Sequence, residues 1–238
     1  MASSVMLSIR GIHYRYGDAE VLRNVSVTVN SGEVVTIIGA NGAGKTTLLK
    51  VISGLHRPVS GNITFNGMDI VGKPAYKVRQ LGLVHVPEGR GILRNLTVHE
   101  NLLMGAFHEE KKERARRIEE IYEKFPLLRE RQAQVAGSLS GGEQAILTIA
   151  RGIAGKPRLI MLDEPSLGLA PIMVDRIFSI LRDLKEIGLA VLLVEQNATQ
   201  ALDIAERAYV MEVGEMVAEG TIDKILTNKQ IVEAYLGI

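Results

Sequence analysis

Residues 39–47 read GANGAGKTT, and Gly39, Gly44, Lys45 and Thr46 stand at the spacing of a P-loop. The pattern has a physical basis. Glycines let successive backbone N–H groups turn inward, so the amides of Asn41, Gly42, Ala43, Gly44, Lys45, Thr46 and Thr47 can cradle phosphate oxygens. A helix that opens at the anion adds its free N–H groups and its dipole. Lys45 is then expected to reach the β- and γ-phosphates, and Thr46 to place its hydroxyl on Mg²⁺.

A second string supplies acids. Residues 159–165 read LIMLDEP, an apolar run that delivers Asp163 and Glu164 side by side at its C-terminal end. In open α/β sheets ligands sit at that end of the strands. Asp163 is expected to hold Mg²⁺, and Glu164 to orient and deprotonate an attacking water.

These strings need elements to hold them. Leu7–Ile12 and Val21–Val29 are β-prone, with a turn at Ser31-Gly32. Val34–Ile38 is a continuous apolar run suited to a strand covered on both faces, and Lys45–Ser53 reads as a helix ending near Gly54. Asn62–Phe65 and Leu83–Val86 are further strands. From about Thr97 to Gly155 the pattern turns helical and densely charged. Thr97 and Glu100 have capping-box spacing. The mixed signs of Glu109–Arg117 suit a solvated helix face rather than a nucleic-acid patch. Strand and helix then alternate again: Leu159–Leu162, Pro171–Ile187 with proline first and Gly188 after it, and Ala190–Val194. The expectation is an α/β fold with a mostly parallel sheet. The chain would form one domain, with a core over about 1–90 and 156–238 and an inserted helical subdomain over about 91–155.

The totals set limits. The chain has 238 residues and 46% hydrophobic composition, enough for one sizeable core. Its formal net charge of +1 is no basic footprint of the kind a dedicated nucleic-acid binder carries. Without cysteine, neither a disulfide nor a thiolate site is available. Met1–Val5 lacks the pattern of a signal peptide. The longest clean apolar run, Leu189–Val194, is far short of the roughly 20 residues a membrane span needs, so a membrane link is expected through partners.

Residues 139–144 read LSGGEQ. Ser140 and Glu143 have capping-box spacing, and Gly141 and Gly142 carry no side chains to cover their amides: a second phosphate-binding surface. The string resembles the ABC signature sequence, and with the P-loop and the acid pair the chain is identified as a member of the ABC ATPase family. That resemblance implies a P-loop NTPase (RecA-like) core, an N-terminal antiparallel β subdomain and a helical insertion. It also implies ATP with Mg²⁺, and a dimer in which the signature of one subunit caps the γ-phosphate held by another. Ser166–Leu169 resembles the loop that crosses this interface. Tyr16 matches the aromatic that stacks on adenine, with Tyr14 as its rival.

Two positions depart from the common pattern. Glu88, in VPEGR over 86–90, stands where most members have glutamine, and Gln196, in LVEQN over 193–197, stands where most have the γ-phosphate-sensing histidine. Glu88 can still bind Mg²⁺ or its water. Gln196 can donate one hydrogen bond to phosphate but cannot titrate. With DEPSLGLAP over 163–171, these strings resemble the LivF-type ATPase of branched-chain amino acid importers and its urea and amide-uptake relatives. The resemblance implies a LivG-like second ATPase or a second copy, two membrane permeases and, indirectly, a periplasmic solute-binding protein. It implies a peripheral place on the cytoplasmic side of the membrane. A lipopolysaccharide-type exporter ATPase is the alternative of similar size.

Overall fold

The computed structural model describes residues 4–89 and 91–233, with only the backbone described at Gln230. Met1–Ser3 of the N-terminal reading, Arg90 of the 86–90 string and residues 234–238 lie outside the described residues.

Two sheets form. The first is antiparallel, in the order β2-β1-β4-β5, from β1 (Val5–Tyr16), β2 (Ala19–Asn30), β4 (Ser60–Phe65) and β5 (Met68–Asp69). The second runs β10-β9-β3-β8-β7-β6, from β3 (Val34–Ile38), β6 (Leu83–Val86), β7 (Leu159–Asp163), β8 (Ala190–Glu195), β9 (Arg207–Glu212) and β10 (Glu215–Thr221). Neighbours from β9 to β6 are parallel, and only β10 is antiparallel.

The buried strands β3, β7 and β8 are near-continuous apolar runs because both faces are covered. Alternate residues enter different cores. Leu192 and Val194 pack toward the antiparallel sheet and α1 (Lys45–Ile52), and Val191 and Leu193 pack toward the long helices.

Those helices are α3 (Val98–Gly105), α4 (Lys111–Lys124), α5 (Pro126–Glu130), α6 (Gly141–Ala154) and α7 (Pro171–Glu186). Short α2 (Ala75–Gln80) precedes β6, and α8 (Ala198–Ile204), α9 (Ile222–Thr227) and α10 (Lys229–Ile231) complete the chain. Both capping boxes form: Thr97 N donates to Glu100 Oε2 at 2.7 Å, and Ser140 N to Glu143 Oε2 at 2.8 Å. The charged stretch becomes α4, where Arg116 pairs with Glu113 and Glu120, each at 2.7 Å. On α6, a Cβ at Gly152 would press on Val86 and Ile160, so this helix lies directly on the large sheet.

Parallel pairing brings four strand ends to one edge. Ile38 faces Glu195 across β3 and β8, and Asp163 faces Val194 across β7 and β8. The P-loop, the acid pair, the Glu195–Gln196 step and the Pro87–Glu88 step all leave the sheet there.

Candidate active site

The P-loop turns because glycine can take conformations other residues resist. Gly42 and Gly44 have φ of 82° and 110°, and Gly44 caps α1. At Gly39 the requirement is close approach, since a Cβ there would collide with the Met211 carbonyl oxygen.

Lys45 is only 4% exposed. Its ammonium donates to the carbonyls of Gly39 at 2.7 Å and Ala40 at 3.2 Å, and it pairs with Glu164 Oε1 at 3.2 Å. The Thr46 hydroxyl donates to Asp163 Oδ1 at 3.1 Å. The P-loop helix and the end of β7 are thus joined by two adjacent polar contacts. Glu164 holds a left-handed backbone, φ 46°, uncommon for a residue with a side chain and costly unless its surroundings hold it.

A cleft of 430 Å³ is lined by Asn41, Gly42, Gly44, Lys45, Thr46 and Thr47 together with Val21, Glu88, Glu164 and Leu167. Glu88, Glu164 and Leu167 also line an adjoining cleft of 290 Å³, which adds Asp163 and the α6 residues Ala145, Thr148 and Ile149. Glu88 therefore faces both the phosphate loop and the acid pair.

Asp163 is 2% exposed, and burial pushes its carboxyl up to about 6; the charges of Glu164 and Glu88 add to the rise, and the Thr46 hydroxyl opposes it. Its Oδ2 is buried and has no hydrogen-bond partner. A buried carboxylate with one oxygen unpartnered beside a threonine hydroxyl fits a hard cation. Among the described residues, no cluster of three or more His, Cys, Asp or Glu forms a self-sufficient metal cage. This suits Mg²⁺, which binds through one or two carboxylates and substrate phosphates.

The aromatic rivals separate cleanly. Tyr14 is 9% exposed, sits in the core beneath the antiparallel sheet and stacks on His56. Tyr16, 46% exposed, stands edge-on to Tyr14 and shares a 2.9 Å hydrogen bond between its hydroxyl and His56 Nε2. Tyr16 is the ring still available to a ligand.

The signature residues are not brought to this cleft. Ser140 is exposed at the start of α6, and neither Gly141 nor Gly142 lines either cavity. Gly142 is glycine for a further reason: a Cβ there would collide with the side chain of Met173 on α7. Gln196 is exposed on the bend after β8 and lines neither cleft.

Sequence reasoning passed over Glu195. It is 2% exposed, and burial pushes its carboxyl up to about 7 although it accepts hydrogen bonds from Ser166. The available signal was its place: a carboxylate continuing the apolar run of a covered strand.

A parallel sheet with a P-loop after β3 and a paired acid after β7, one strand apart at the same end of the sheet, defines a nucleotide-binding P-loop fold. Residues 22–167 match the sequence profile of the ABC transporter family. The chain belongs to that family. Across 98% of its length it is 47% identical to the whole of the high-affinity branched-chain amino acid transport ATP-binding protein BraG of Pseudomonas aeruginosa. It is 38% identical, over 98% of its length and 97% of that protein, to the lipopolysaccharide export system ATP-binding protein LptB of Haemophilus influenzae. The probable branched-chain amino acid transport ATP-binding protein LivF of Archaeoglobus fulgidus is 35% identical over 98% of this chain and 99% of its own. Among solved structures, a nucleotide-free ATP-binding cassette from an ABC transporter superposes with a TM-score of 0.87 at 31% identity, covering 98% of this chain and 100% of that one.

Proposed function

We propose that this chain is the ATP-binding and ATP-hydrolysing subunit of an ABC importer that drives uptake of branched-chain amino acids. The observation that carries the reading is the meeting of Lys45 with Glu164 at 3.2 Å and of Thr46 with Asp163 at 3.1 Å, where the P-loop cleft adjoins the acid pair. The solute class rests on the full-length likeness to BraG.

The amides of Asn41–Thr47 bind the phosphates, Lys45 neutralises the γ-phosphate, and Tyr16 carries the adenine. Thr46, Asp163 and Glu88 hold Mg²⁺, which when bound neutralises charge on the β- and γ-phosphates. Glu164 leaves its pairing with Lys45 and takes a proton from the attacking water. Gln196 donates a hydrogen bond to the γ-phosphate. Ser140, Gly141 and Gly142 do their work in a second subunit's site, where they cap the γ-phosphate and exclude water. Ser166–Leu169 crosses that interface.

The second subunit is a LivG-like ATPase or another copy of this chain. The subdomain over 91–155 passes its motion, through the Glu88 loop, to two permeases fed by a periplasmic binding protein. Among the described residues no helix is long and apolar enough to cross a membrane. The place proposed, peripheral on the cytoplasmic face, rests on the likeness to transporter ATP-binding subunits. Likeness to LptB supports a second reading, a lipopolysaccharide-type exporter ATPase. Uptake of labelled leucine by cells lacking the chain separates the two: the importer reading requires uptake to fall, and the exporter reading leaves it unchanged.

Phosphate release by the assembled subunits tests the chemistry. Hydrolysis is expected, and Glu164→Gln should lose it while still binding Mg-ATP. Turnover like the wild type's in that variant would remove Glu164 from the role of base.

A further inference from the structure

Strand alternation puts Glu195 on the same face of β8 as Val191 and Leu193, where the neighbouring positions are apolar. A carboxylate there is costly unless it is hydrogen-bonded. Its partner is specific: Glu195 Oε1 accepts from Ser166 N at 3.1 Å, and the Ser166 hydroxyl and the Gln196 backbone also serve it. One residue earlier on the same strand, the Val194 carbonyl accepts from Glu164 N at 2.9 Å. Two successive residues of β8 therefore grip the chain at 164 and 166. Between them stands the left-handed Glu164, a conformation that persists only where its flanks are held. Beyond the grip the segment is a run of turns, with Leu167 N bonded to Glu164 O, Leu169 N bonded to Ser166 O, and Gly168 at φ 68°.

We propose that Glu195 is a positioning residue for ATP hydrolysis: by holding Ser166 it fixes the Glu164–Leu169 loop, and with it the carboxylate of Glu164, against the end of β8. The proposal rests on the reading of Glu164 as the base. Glu195 lines neither cleft and is not expected to touch nucleotide. Its loss should therefore slow turnover without weakening ATP binding, unlike the loss of a phosphate ligand.

The test compares Glu195→Ala and Glu195→Gln. Mg-ATP binding is titrated on the isolated chain, and kcat and KM are measured on the chain assembled with its ATPase and permease partners. Glutamine keeps an acceptor oxygen for Ser166 N, and alanine does not. Glu195→Ala should lower kcat about tenfold with KM and affinity within about twofold, because a displaced catalytic group costs rate rather than binding. Glu195→Gln should recover most of the rate. The proposal is overturned if Glu195→Ala keeps wild-type kcat, if affinity falls in step with rate, or if Glu195→Gln is as slow as Glu195→Ala. A wild-type chain without affinity for Mg-ATP would instead overturn the proposed function, and the same titration reads that outcome first.

Discussion

The chain has two glycine-containing helix starts proposed to bind phosphate, and they are built differently. At α1 the charges are gathered: a buried lysine pairs with Glu164 and a threonine with Asp163, beside the cleft that the lysine, the threonine and Glu164 line. At α6 the serine before the helix is exposed and engaged in its own cap, and Ser140, Gly141 and Gly142 line neither cleft. Under the proposed function the first exchanges partners when nucleotide binds, with phosphate replacing Glu164 at Lys45 while Thr46 and Asp163 would turn to Mg²⁺. The second is half a site. Its geometry has use only if another surface brings the phosphate to it, which is why the proposed function needs a second subunit.

Substitutions can break this contrast. The largest effect should come from the base: Glu164→Gln is expected to cut turnover about 10³-fold, within the range for losing a general base, with Mg-ATP binding retained. Phosphate release set against a binding titration checks it.

Next comes the cost of the gathered acids. Burial holds Asp163 at about 6, above its ordinary 3.8. A carboxyl raised in the folded state contributes stability that is complete below the unfolded value and is lost as pH rises through the folded one. Asp163→Asn has no charge to bury. The nucleotide-free variant should match wild type near pH 3.8 and exceed it by on the order of 2–3 kcal/mol above pH 7, while hydrolysis is lost. Urea unfolding at several pH values measures the gap. A gap independent of pH would mean that Asp163 is not held protonated by its surroundings.

The signature half should fail through packing. Gly142→Ala drives a methyl into the flexible Met173 side chain; overpacking of this kind costs about 1–3 kcal/mol, of which the better helix propensity of alanine returns about 1 kcal/mol. Pairing it with Met173→Ala should return much of that stability in a double-mutant cycle. The smallest effect is the cap. Ser140→Ala should cost about 1 kcal/mol in thermal stability through loss of the hydrogen bond to Glu143 N.

Much of the site was legible because its chemistry is local. P-loop glycines, adjacent acids and capping boxes are read within a few residues, and Val34–Ile38 and Leu83–Val86 match their strands at both ends. What escaped depends on contacts far apart in sequence. The side chain that crowds Gly142 lies 31 residues on, at Met173, and the partner of Glu195 is 29 residues back, at Ser166. An acid at a strand end reads as solvent-facing, and only the covering helices make Glu195 internal. The short β5 and α2 and the elements after β8 were not anticipated. The edge strand β10 alternates only between exposed and half-buried positions, so it carries no apolar face to read, and the small helices carry too few turns to show a period.

The most direct test of the contrast is one titration of Mg-ATP on the isolated chain with two variants, Lys45→Ala and Ser140→Ala. Lys45→Ala should lose about a hundredfold or more in affinity, as removal of a buried charge-assisted phosphate contact does, and Ser140→Ala should bind like wild type. Equal losses in the two variants, at a dilution where the chain is shown to be monomeric, would contradict the account, because both helix starts would then serve the same phosphates within a single chain.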